Sequence, residues 1–294
     1  MKIVLLFALL YLCCAAQGFC CKKGSAAVNN TASLAGFSAF QYCICAALML
    51  LVVRPTSLPS DPLLLGLSFA AGCSMYISSL CTFCVVHMGT PIYWTTLMIS
   101  IGILIPIISS VFLFSETIHP IQVLGIALLF YGTSLAVALP HTEKAHISAE
   151  TVLLLVAIFI VEGTTMLSQK CFAAFMPESD PSMFSLLAFA IAAIMTSVTY
   201  FILRLHTPRT QPAGGLWRLS AYGVVQSVAL LAIMMLSTLT ASLIPAVIQF
   251  SLQAGGSLIV SVMVSALAFH QTPTRKNRIG IALCIVALII VNSF

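Results

Sequence analysis

Glu162 is the one charged residue near the middle of a long apolar run in this 294-residue chain. A carboxylate in hydrocarbon costs roughly 2.5–3.5 kcal/mol on insertion scales, so intramembrane acids face a cavity or a partner. Two readings follow. As a working group, Glu162 would take up a proton on one side of a membrane and release it on the other. As a structural group it would pair with Lys170, eight residues on, although helix rise sets the two about 12 Å apart and pairing would need water or another helix. Lys170 and Lys22 close apolar runs of similar design, with Ser168-Gln169 leading to one and Gln17-Gly18 to the other. Each lysine is a candidate holder of a substrate carboxylate, or else a side chain that snorkels to the interface. With the two lysines aligned, Cys14 stands near the counterpart of Glu162, so proton coupling would be confined to one of the two runs.

Uncharged polar residues complete the candidate set. Gln226, and Gln249 with Gln253 one turn further along the same helix face, can line a cavity; Tyr76, Tyr93 and Trp94 can wall it. The competing reading is packing: glutamines also join helices, at about 0.6 kcal/mol each, and Tyr93 with Trp94 suits an interfacial belt. Enzyme chemistry lacks its parts, since there is no acidic pair within a span, no His-Glu-x-x-His, no Gly-x-Ser-x-Gly and no nucleotide-binding loop. No cofactor or metal is expected. The eleven cysteines fall mostly inside apolar runs, as packed thiols do, and Cys81 with Cys84 has no second pair to make a metal motif. Asn29-Asn30-Thr31 fits a glycosylation acceptor only in a eukaryotic secretory setting.

Elements that position such residues must sit in lipid. The chain is 61% hydrophobic and 6% charged, with mean hydropathy +1.12, far below the quarter of charged residues that soluble chains carry. At roughly 20 apolar residues per crossing, about ten transmembrane helices fit. Hydropathy places them near 1–21, 33–53, 62–86, 92–114, 121–139, 151–172, 182–203, 216–237, 242–269 and 277–291. Met1 to Cys21 also has the outline of a signal peptide, but its apolar stretch fills a full span. Ser60-Asp61-Pro62 and Ser179-Asp180-Pro181 are helix starts of the same design, a side-chain cap followed by proline in the first turn.

The chain also repeats itself. Phe114-Ser115-Glu116-Thr117 and, further on, Gly125-Ile126-Ala127-Leu128 return 155 positions later as Phe269-His270-Gln271-Thr272 and Gly280-Ile281-Ala282-Leu283. Residues 1–140 and 151–294 then read as two five-helix units joined by 141–150. An odd number of crossings per unit inverts one copy against the other, the architecture of secondary transporters with a site near the midplane. Three basic residues fall in the loops on the termini side (Lys2, Arg54, Lys170) and nine on the other, which predicts both termini outside.

The sequence Ser115-Glu116-Thr117-Ile118-His119-Pro120, followed by Leu124-Gly125-Ile126-Ala127, resembles the Gly-Glu-x-hydrophobic-x-Pro turn and glycine-rich helix of the ten-span drug/metabolite transporter superfamily, in its EamA-like branch. The resemblance covers nearly the whole chain, with Ser115 in place of the motif's glycine and Gln271 in place of the second copy's glutamate. It implies a secondary active transporter, by preference an exporter, of a small polar or amphipathic metabolite such as an amino acid. It further implies the plasma (inner) membrane of a bacterium and a monomer or homodimer, with a small-molecule substrate, the lipid bilayer and protons as partners and no nucleic acid. A non-transporting membrane scaffold or receptor of the same fold is the alternative. Glu116 itself, at a turn, is expected to cap the helix that follows it.

Overall fold

A computed structural model describes residues 2–25, 31–54, 61–88, 92–137, 148–206, 216–269 and 274–293. Nearly all of them are helical, and none lies in a strand. The helices are α1 (Lys2–Ser25), α2 (Thr31–Val53), α3 (Pro62–His87), α4 (Ile92–Ile101), α5 (Leu104–Leu113), α6 (Pro120–Val137), α7 (Ala149–Phe175), α8 (Pro181–His206), α9 (Leu216–Ala241), α10 (Ala246–Phe269) and α11 (Arg275–Asn292). Eight apolar stretches are long enough to cross a membrane: α1, α2, α3, α4 with α5, and α7 through α10. The protein is an all-α integral membrane protein. Its outward surface is an apolar coat for lipid, with Leu153, Ile194, Phe201 and Leu205 among the most exposed side chains.

The helix starts follow the expected chemistry. Asp61 Oδ1 accepts from the Leu63 N–H at 2.8 Å, and Asp180 Oδ1 from the Ser182 N–H at 2.9 Å. α1 packs on α9 and α10, and the Tyr11 hydroxyl donates to the Leu252 carbonyl at 2.9 Å. No disulfide joins the described cysteines, and Cys45, Cys171 and Cys284 are buried as packed thiols.

The fourth apolar run, expected as one helix from 92 to 114, is two. Pro106 has no N–H to give the Gly102 carbonyl four residues back, and its ring crowds that carbonyl. The Ile105 N–H takes Gly102 O instead, at 3.1 Å and three residues away, and the helix breaks at Gly102–Ile103. α5 then ends with Ser115 at φ 53°, the left-handed cap position that favours glycine. The Glu116 and Phe114 N–H groups both return to Ser110 O.

α6 and α11 pack along a close seam. Gly132 and Gly280 approach each other backbone to backbone: a side chain at Gly280 would meet Ala136 N at 2.3 Å and Gly132 O at 2.5 Å. The Gln122 amide, at the start of α6, donates to Val291 O at 3.2 Å, and the Asn277 amide, at the start of α11, to Ala136 O at 2.5 Å. The pair is therefore antiparallel. Residues 122 and 136 shifted by 155 are 277 and 291, so the two bonds are copies of one another in the register of the sequence echo. The caps obey the same shift, His119 N–H to Gln122 Oε1 and Thr274 N–H to Asn277 Oδ1, each at 3.1 Å.

Candidate functional site

Glu162 is the central residue of α7, with thirteen helical residues on either side, which sets it about 20 Å from each end of that helix. Its Oε1 accepts from the Ser78 hydroxyl of α3 at 2.5 Å. Beside it lies the α4–α5 break: a Cβ on Gly102 would stand 3.2 Å from Glu162 Cβ, and one on Gly163 would stand 2.7 Å from Gly102 O. Two glycines thus let the broken helix pack closely on the α7 backbone at Glu162. Ser79, next to Ser78, lies 3.3 Å from the Tyr42 hydroxyl, which also reaches Met75 O at 3.4 Å. Broken helices leave backbone groups without helical partners, and their ends gather at transport sites for that reason.

One nearly two-turn step along α7 from Glu162 brings Gln169 to a second polar group. Ser237 of α9 donates to Gln169 Oε1 at 2.9 Å, and Gln253 Oε1 lies 2.9 Å from the same hydroxyl. One hydroxyl proton cannot serve both oxygens, so one amide turns over or keeps a free acceptor. Gln249, fully buried, donates through Nε2 to Ser237 O at 2.8 Å and to Thr240 Oγ1 at 3.3 Å, while its Oε1 has no partner. Gln226 donates to Gln41 of α2 at 3.3 Å, and its Oε1 is likewise unpartnered. Unpaired buried amide oxygens cost about 1–3 kcal/mol each unless something supplies a donor. Tyr76 stands apart, joining α3 to α8 through a 2.8 Å bond to Thr199. Thr199 also lines an open cleft with Ala35, Ser38, Ser79, Leu80, Thr196 and Leu203.

Lys170 pairs with Glu116, not with Glu162. Nζ lies 3.0 Å from Glu116 Oε1 and donates to Ala241 O at 3.1 Å and Ile244 O at 3.0 Å. The other Glu116 oxygen accepts from the Ala246 N–H at 2.8 Å. Glu116 therefore caps α10, a helix 130 residues away, rather than α6 as its position in the chain suggested. The physical reason is the left-handed turn at Ser115, which carries the side chain away from α6. Lys22, Tyr93, Gln271, the Asn29–Thr31 acceptor and the 141–147 connection fall outside the positions whose side chains are described.

Of the expected candidates, Gln249 and Gln253 come together, Glu162 stands one α7 step from them, and Gln226, Tyr76 and Lys170 each join a different contact. Ser78, Gln41, Gln169, Ser237 and the Gly102 break complete these groups, and none of them is among the site residues expected from the sequence. Gln169 had a signal, being an amide inside an apolar run beside the lysine.

No family model matches the chain, and no curated protein does. A solved structure described only as "Crystal structure of protein" superposes with a TM-score of 0.77 at 13% identity. The superposition covers 100% of this chain and 98% of the other. The chain has the fold of that protein from end to end.

Proposed function

We propose that this chain is a secondary transporter of the EamA-like kind, built from two inverted five-span units, that moves a small polar metabolite by alternating access. The observation that carries the reading is Glu162, halfway along α7 and pressed against a broken helix. The inverted repeat is supported by the paired bonds of Gln122 and Asn277, which obey the 155-residue register in an antiparallel seam. Helix pairings point the same way: α3 on α7 has its exchange partner in α9 on α1, and α1 on α10 in α7 on α4 and α5.

Charge and hydrogen-bonding capacity narrow the cargo. Lys170 is neutralised by Glu116, so it is poorly suited to a substrate carboxylate, and Glu162 has no cation in ion-pair reach among the described residues. The amide atoms left without a partner are acceptors, Gln249 Oε1 and Gln226 Oε1, and they add to the carboxylate and to one amide oxygen of the Ser237 group. A cargo rich in N–H donors fits, such as the ammonium end of an amino acid or amine. Glu162 serves as its counter-charge and takes up a proton when the cargo leaves, which couples flux to a pH gradient. The membrane we assign is the plasma (inner) membrane of a bacterium, with both termini outside.

The test is uptake of a radiolabelled amino-acid and amine mixture into proteoliposomes, with and without an imposed pH gradient. Wild type is expected to respond to the gradient, and Glu162→Gln to lose that response. Uptake that ignores both the gradient and the substitution refutes the coupling.

A further inference from the structure

We propose that the Glu116–Lys170 ion pair is a latch that closes the termini end of the transport path. The inference rests on the transporter reading. Glu116 belongs to the first unit and Lys170 to the second, so their 3.0 Å contact bridges the two bodies that must rock apart. The same carboxylate holds the first N–H of α10, and the same ammonium holds two carbonyls at the end of α9 and in the turn after it. Three segments, the α5–α6 turn, the last turns of α7 and the α9–α10 turn, are thereby tied at one point. The helix directions put that point at the end of the molecule where α1 begins.

Two features argue for a latch over a plain cap. Ser115 adopts φ 53°, a conformation costly for a residue with a side chain, and this aims Glu116 across the boundary between units rather than at its own helix. In the 155-residue register the counterpart of Glu116 is Gln271, which carries no charge. The equivalent turn of the second unit thus cannot supply the same carboxylate, and the latch biases the resting protein toward closure at the Glu116 end. The α6–α11 seam, by contrast, carries the same amide bond at both ends, as a hinge between the units requires.

Glu116→Gln separates the two roles, because a glutamine oxygen can still accept from Ala246 while the ion pair is lost. The reporter is native Cys171, buried beside Lys170, and the control is Cys284, buried in the α6–α11 seam. The full-length protein is treated with N-ethylmaleimide and each thiol is followed by peptide mass spectrometry. The latch predicts Cys171 alkylation faster by about tenfold in Glu116→Gln, since breaking a buried pair shifts a closed–open balance by a decade or more. Cys284 keeps its wild-type rate, and Glu116→Asp, which retains the charge, stays near wild type. An unchanged Cys171 rate overturns the latch, and so does a rise shared equally by Cys284, which reports loosening of the whole fold. If Cys171 responds as predicted while no cargo moves in proteoliposomes, the transport reading falls and the latch stands.

Discussion

Gly280 and Gly125 occupy equivalent positions in the sequence echo, yet alanine should be tolerated at one and not at the other. A Cβ at Gly280 would lie 2.3 Å from Ala136 N, 2.5 Å from Gly132 O and 2.8 Å from Ala136 Cα, all backbone atoms. Ordinary contact begins near 3.4 Å, so α6 and α11 must separate by about 1 Å, which strains the Asn277 and Gln122 bonds at the two ends of the seam. Overpacking of this kind costs about 1–3 kcal/mol, and with backbone as the obstacle the upper part of that range applies. Alanine returns up to about 1 kcal/mol of helix propensity. Gly280→Ala is thus expected to lose about 1–2 kcal/mol net. At Gly125 the nearest atoms are the Val291 and Ile290 methyl groups, at 2.7 and 3.1 Å, with backbone no closer than 3.3 Å. Side-chain rotation relieves the first two, and Gly125→Ala should stay within about 0.5 kcal/mol of wild type on the same propensity scale. Equilibrium unfolding in mixed detergent micelles reads both. Equal costs, or a larger cost at Gly125, would refute the backbone-to-backbone seam.

Two further outcomes follow from the same geometry. Pro106→Ala restores an N–H for the Gly102 carbonyl and lets α4 run into α5. Melting temperature should rise while cargo flux in proteoliposomes falls several-fold, and unaffected flux would mean that the break beside Glu162 has no part in transport. Gln122→Ala and Asn277→Ala each remove one amide-to-carbonyl bond across the seam and one helix cap, so each should cost about 1–2 kcal/mol. Their sites lie about 20 Å apart along the seam, far enough for the costs to add in the double variant. A difference between the single variants above about 1 kcal/mol would break the two-fold equivalence.

How far these contacts could be read in advance depended on their range in the chain. Apolar runs and the Asp-Pro helix starts are local, and the helix bounds lie within a few residues of those expected, apart from the broken run. That break is only half legible in the sequence: a proline inside an apolar run kinks or breaks its helix, but hydropathy is blind to a lost N–H, and the helix parts four residues before Pro106, where the carbonyl loses its donor. Glu116 was read through its nearest helix because sequence offers no other neighbour. Its true partners lie 54 and 130 residues on, Lys170 and Ala246, and no periodicity encodes such a meeting. Gln169 and Ser237 share the difficulty, being one residue each on separate helices. The 155-residue echo was the exception, since it related distant positions directly, and the Gln122 and Asn277 contacts keep its register.

The two halves can be alike at the seam and unlike at the site for an energetic reason. On the proposed reading, a seam that bears the relative motion of two units needs the same resistance in both directions, and matched amide bonds supply it. A site that binds one cargo and one proton needs a single carboxylate, because a second acid at the equivalent place would raise the desolvation cost and add like-charge repulsion. Cys14 near the counterpart position meets that requirement, and Gln271 opposite Glu116 follows the same logic for the closing contact. On the proposed reading, two of the departures from symmetry, Cys14 for Glu162 and Gln271 for Glu116, therefore fall where a charge acts, and the shared register belongs to the α6–α11 seam.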